Sequence, residues 1–180
     1  IEYLEDRGGT LVLIAGHAFM PHAYVSHPLE EILPVKAIAN VDTPIDDFAF
    51  HVTEAGRDHD ALMIAENAEA TRLAWDFVNR NAPLQSLSKY RQALPTARTL
   101  IGAIPRDSID EESASKASAF LCWQPVKRGR VVYLSGGETY RLRFLRGDRL
   151  HYRLWGQMLR WAIASDLAAG SERVRVRTDK

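Results

Sequence analysis

The sequence predicts an α/β domain with a mainly parallel sheet and a C-terminal antiparallel hairpin. Three observations carry that expectation. Residues 10–15 (TLVLIA) and 99–104 (TLIGAI) are apolar runs without alternation, the pattern of strands covered on both faces. Residues 119–123 and 130–134 are apolar segments joined by Lys127, Arg128 and Gly129, a short turn that favours a hairpin. Residues 148–168 repeat apolar side chains at helical spacing. A chain of 180 residues suits one such domain with one core.

Each element has its own signal. Residues 2–7 are helix-compatible and stop at Gly8-Gly9. The strand at 10–15 ends at Gly16, and a loop rich in His, Pro and aromatic residues follows over 17–28. Residues 28–33 form a short helix closed by Pro34. Residues 40–47 are a connector, 48–53 a strand, 54–59 a turn, and 67–78 a helix carrying Leu73, Trp75, Phe77 and Val78. Residues 79–96 and 105–117 read as loops. In the last helix, His151, Leu154, Trp155, Met158, Leu159 and Ala162 form one stripe, expected to pack on the sheet.

Composition narrows the function classes. No apolar run approaches the roughly 20 residues that cross a bilayer, so no membrane insertion by this segment is expected. A lone cysteine, Cys122, excludes an internal disulfide and a cysteine-rich metal site without setting the compartment. Net charge is zero, yet residues 125–180 hold 13 basic and 5 acidic groups while residues 1–124 hold 10 and 18. The arginines are spread over several elements, so mutual neutralisation of the halves is expected rather than nucleic-acid binding. The chain starts at Ile1 in a helix-like stretch and ends in a strand-like VRVRT. It therefore reads as part of a longer protein, with a domain over 1–170 and the start of a following segment over 171–180.

In an α/β sheet, ligands gather at the carboxyl ends of strands. Two loops qualify. One contains His17, His22, Tyr24 and His27; the other contains Gly136, Gly137, Glu138, Tyr140 and Arg141. The histidine spacing fits no common zinc motif, and no metal or cofactor is expected. Cys122 lies in an apolar strand, a poor setting for a thiolate. No Gly-x-Ser-x-Gly elbow, dinucleotide fingerprint or phosphate loop is present. The candidate ligand residues are His17, Gly136, Gly137, Glu138, Tyr140 and Arg141. Alternation over 140–144 puts Arg141 and Arg143 on one side, where they need a carboxylate such as Glu138, or a small anionic ligand, between them.

Several stretches resemble class I glutamine amidotransferase-like domains: DRGGTLVLIAG at 6–16, PLEEILPV at 28–35, VTEAG at 52–56, and Trp75. The match is most specific at RGRVVYL (128–134), GETYRLR (137–143) and WGQxLRW (155–161). It is similar to the subset found in large membrane-anchored bacterial proteins, some with von Willebrand factor A-type domains. The resemblance implies a flavodoxin-like, three-layer α/β/α fold lacking its first strands, hence an incomplete domain. It implies other domains of the parent protein as partners, on either side of the membrane. It does not bring the chemistry. Gly16 is followed by His17 instead of the nucleophilic Cys, no His-x-Glu occurs, and Gly136-Gly137-Glu138 stands where related domains carry Gly-His. The expected function is thus a non-catalytic binding or assembly role. The alternative is a hydrolase or transferase of small amides or sugars using Glu138 and a histidine such as His17.

Overall fold

The computed structural model describes residues 1–16, 19–38, 47–106, 117–145 and 147–169. Its centre is a five-stranded sheet. In chain order the strands are β1 (Thr10–Ile14), β3 (Phe48–Val52), β5 (Arg98–Pro105), β6 (Ser118–Val126) and β7 (Gly129–Leu134). Their spatial order is β1-β7-β6-β5-β3. A two-stranded ribbon, β2 (Val35–Ala37) with β4 (Tyr90–Ala93), stands apart from it. The helices are α1 (Glu2–Glu5), α2 (Pro28–Glu31), α3 (Glu54–Arg57), α4 (Ala68–Asn81) and α5 (Arg149–Ala169).

The expected strands and hairpin are present, but the sheet is mixed rather than mainly parallel. Among the described strands, β1 and β7 pair in parallel. The β7–β6, β6–β5 and β5–β3 pairings are antiparallel. The expectation failed for a physical reason. An unbroken apolar run reports burial on both faces, and a covered antiparallel sheet produces the same run. Val131, Val132, Tyr133 and Leu134 of β7 are all at most 1% exposed.

The two faces are covered differently. Phe50, Phe120, Val132 and Leu134 meet Trp75 and Val78 of α4 and Leu154 and Met158 of α5. On the other face, Leu13, Cys122, Val131 and Tyr133 meet Leu4 of α1, Ile32 and Leu33 after α2, and Val35 and Tyr90 of the ribbon. The second covering layer is therefore one-turn helices and a ribbon, where a flavodoxin-like sandwich would place full helices. The ribbon was invisible because residues 79–96 read as loop; they contain the end of α4 and all of β4. Residues 54–59 begin with α3, capped by Thr53, whose Oγ1 accepts from Gly56 N and donates to Thr99 O.

The stripe on α5 also needs correction. Leu150, Leu154, Met158 and Ala162 are buried, whereas Trp155 is half-buried and Leu159 is 51% exposed. The contact line runs at i, i+4 spacing, so the helix turns Leu159 outward. Thr10 Oγ1 donates to Ala162 O (2.9 Å), and Gln157 Nε2 to Met63 O (3.2 Å), fixing α5 to β1 and to the 60–64 turn. The β6–β7 turn packs on α1. A Cβ on Gly129 would lie 2.4 Å from Gly9 O and 2.6 Å from Leu4 O, so only glycine fits there. At the sheet edge, Asn79 of α4 takes both backbone groups of Phe50. Its Oδ1 accepts from Phe50 N and its Nδ2 donates to Phe50 O, which blunts that edge against further pairing.

Two outcomes follow from this packing. Leu154→Ala and Met158→Ala should each cost about 2–5 kcal/mol in denaturant melts, while Leu159→Ala should cost less than about 0.5 kcal/mol. The second concerns pH. Burial holds His59, His22 and His51 below the ordinary imidazole value of 6.5. Their folded values are depressed, so the unfolded chain takes up protons first as pH falls. Stability is then full above about pH 6.5 and declines as pH falls through it. His59 Nδ1 also accepts from Ala61 N, capping the 60–62 turn. Thermal melts should show a lower Tm at about pH 5.5 than at about pH 7.5. His59→Asn, which can still cap, should shrink the difference.

Candidate functional site

The parallel β1–β7 pairing brings two strand ends side by side. Ile14 faces Leu134 across the ladder, and Ala15 N donates to Leu134 O (2.8 Å). Beyond that bond the chains part. Gly16 leaves on one side and Ser135, Gly136 and Gly137 on the other, opening a cleft of about 300 Å³. The third wall is Ser86 and Ser88, from the segment between α4 and β4. Ser88 N donates to Ser135 O (2.7 Å), and Gln85 N donates to Glu138 Oε2 (2.6 Å). Gly136 is required by this closeness, since a Cβ there would sit 2.9 Å from Ser86 O.

Ser135 is fully buried at the end of β7. Its amide donates to Phe120 O (2.8 Å), but its Oγ has no hydrogen-bond partner. The expected alternation over 140–144 is overturned. Glu138–Phe144 form a 3-10 helix, whose three-residue period stacks Glu138 on Arg141. Arg141 Nη1 lies 3.7 Å from Glu138 Oε2, too far for a hydrogen bond, and is itself buried without a partner. Arg143 turns away and pairs with Asp148, Nε to Oδ1 at 3.0 Å. The two arginines therefore share no anion. Tyr140 lines the cleft with 54% of its surface exposed. Thr139 and Leu142 point into the protein, and His151 Nδ1 lies 3.0 Å from Thr139 O, tying this helix to α5.

Of the expected site residues, Gly136, Gly137, Glu138 and Tyr140 line one cleft, and Arg141 stands behind Glu138. His17 lies outside the described residues. His22 packs edge-on against Tyr90, and His27 Nδ1 accepts from Leu29 N as the cap of α2. Among the described residues no three His, Cys, Asp or Glu side chains gather as metal ligands. Sequence reasoning missed Ser86, Ser88 and Ser135. The available signal was weak: Leu87, buried between two serines, marks a segment with one face inward.

Cys122 is fully buried mid-strand, opposite Tyr133 and Thr99. Burial pushes its thiol up to about 12. Comparison of the chain with family models, with curated proteins and with solved structures finds no match.

The Glu138–Arg141 row should behave as a structural unit. Glu138→Gln and Arg141→Ala should each lower the denaturation midpoint, with a coupling of about 0.5–3 kcal/mol in a double-mutant cycle. Gly136→Ala should lower it as well, because its Cβ meets backbone. Additive losses from the pair would show that the two side chains act separately.

Proposed function

We propose that this chain is a non-catalytic, amidotransferase-like binding module of a larger bacterial envelope protein, with its ligand site in the cleft between the ends of β1 and β7. The position of Cys122 carries the first half. A nucleophilic thiol must ionise and meet its substrate, and this one is sealed inside the sheet with its acidity suppressed. At the strand end where the resembled family holds its nucleophile, Gly16 is followed by His17. The site half rests on position. The cleft opens where a parallel strand pair ends, the place where open α/β sheets hold ligands.

The finer family reading, a flavodoxin-like amidotransferase relative, draws its support from the sequence resemblance and from the β1–β7 parallel step. The partners that fit are other domains of the parent protein. Among the described residues of the basic C-terminal third, several cations are engaged within the chain. Arg149 and Arg153 pair with Glu66, Lys127 with Glu5, and Arg130 lies over Trp161 and Trp123. Among the described residues, no helix is long and apolar enough to cross a membrane.

The test is an activity and labelling experiment on the purified chain. No ammonia should be released from glutamine above buffer, and an electrophilic glutamine analogue should leave Cys122 unmodified until the protein is denatured. Stoichiometric labelling of the native protein together with ammonia release would overturn the non-catalytic reading.

A further inference from the structure

We propose that the cleft between the ends of β1 and β7 binds a neutral polyhydroxylated ligand, a single sugar ring, against Tyr140 with its hydroxyls on Ser135 and Glu138. The inference rests on the binding-module reading and names the ligand class for that site.

Two glycines make the first argument. Gly16 and Gly137 line the cleft, and neither needs to be glycine for the fold. Neither has a positive φ; that of Gly137 is −86°. Among the described residues, a Cβ on Gly16 would meet nothing within 4 Å, and one on Gly137 would only touch Ile14 Cγ2 at 4.0 Å. Glycine loses more chain freedom on folding than any other residue. Here neither backbone conformation nor packing compensates, in contrast to Gly136. Without a Cβ at these two positions a ligand in the cleft can approach the backbone closely.

Ser135 makes the second. Its hydroxyl offers one donor and two acceptor positions, is wholly buried, and has no partner. An unpaired buried hydroxyl destabilises a fold. A ligand hydroxyl at the cleft floor would satisfy it once the Ser135 side chain turns outward into the cleft. The third argument is charge. Among the described lining residues, Glu138 is the one charged side chain. Its carboxylate repels a phosphate or carboxylate ligand, and Arg141 already stands opposite it. A carboxylate, the Ser135 hydroxyl and an exposed aromatic ring form an acceptor, donor and apolar set suited to vicinal hydroxyls on a C–H-lined ring. The small anionic ligand expected from the two arginines fits poorly, because Arg143 faces Asp148 instead. Size agrees: about 300 Å³ lies at the small end of ligand sites, which run roughly 300–1,000 Å³.

The experiment is a titration of the isotopically labelled chain, followed by amide NMR. The probes are glucose, galactose and N-acetylglucosamine, each at millimolar concentration, with inorganic phosphate and acetate in parallel. At least one sugar should give saturable shifts at Gly16, Ser135, Gly136 and Gly137, and the anions none. Gly16→Leu and Tyr140→Ala should weaken that binding at least tenfold with unchanged Tm. Ser135→Ala should weaken it similarly while leaving Tm unchanged or raised, because it removes an unpaired hydroxyl. A fall in Tm for Ser135→Ala would assign that hydroxyl to the fold and overturn the proposal. Shifts at the same amides with phosphate or acetate and not with sugars would overturn the ligand class while the binding-module reading survives. Silence from every probe would overturn the sugar-site proposal, while the non-catalytic reading stands or falls on ammonia release and Cys122 labelling.

Discussion

The parallel register between β1 and β7 is the constraint from which the rest of the molecule follows. It runs from Thr10 opposite Arg130 to Ile14 opposite Leu134. Because β7 also pairs with β6, it lies inside the sheet, and its four apolar residues feed both cores in alternation. Parallel strands end at the same edge, so the pairing delivers Gly16 and Gly136 to one place. A register slip of one residue would exchange the faces of Val132 and Tyr133. It would also move Ser135 away from Ser88.

Around that pairing the chain closes by two different chemistries. Leu154 and Met158 of α5 bury against the sheet. Nearer the C-terminal part of α5 the contact is aromatic and cationic. Trp161 meets Trp123 and His59 edge-on, and the Arg130 guanidinium lies 4.7 Å from the Trp161 ring centre. Arg98 lies over the Trp123 ring as well. Some late arginines meet early acids, as Arg149 and Arg153 meet Glu66. Arg130 also lies over tryptophan rings. Exposed ion pairs of the first kind contribute little stability, so the stacked cluster is the more consequential contact.

The cleft separates two uses of glycine that a sequence presents identically. Gly136 has the Ser86 carbonyl against it, and the Ser86 backbone would have to shift if it gained a Cβ. Gly16 and Gly137 face open space. The same contrast holds for the polar groups. Glu138 is engaged by the Gln85 amide, whereas the Ser135 hydroxyl nearby is buried without a partner.

By itself the sequence determined the five strands of the central sheet, the β6–β7 hairpin, α4 and α5, because apolar runs, turn residues and helical spacing are local properties. It also singled out Gly136, Gly137, Glu138 and Tyr140, which line the cleft at the ends of β1 and β7. Strand direction was beyond it, since a run such as 99–104 records only that both faces are covered. The β2–β4 ribbon was hidden because Tyr90–Ala93 includes Arg91 and Gln92, which look like loop until a partner strand is supplied. The 3-10 turn at Glu138–Phe144 was misread because its apolar positions also fit alternation. That turn, set by packing of Thr139 and Leu142, decided that Arg141 meets Glu138 and Arg143 meets Asp148. Ser86 and Ser88 stand about fifty residues from Ser135 in the chain. Only the tertiary fold brings them to one cleft, because contact across that distance is set by the whole core and by no local pattern.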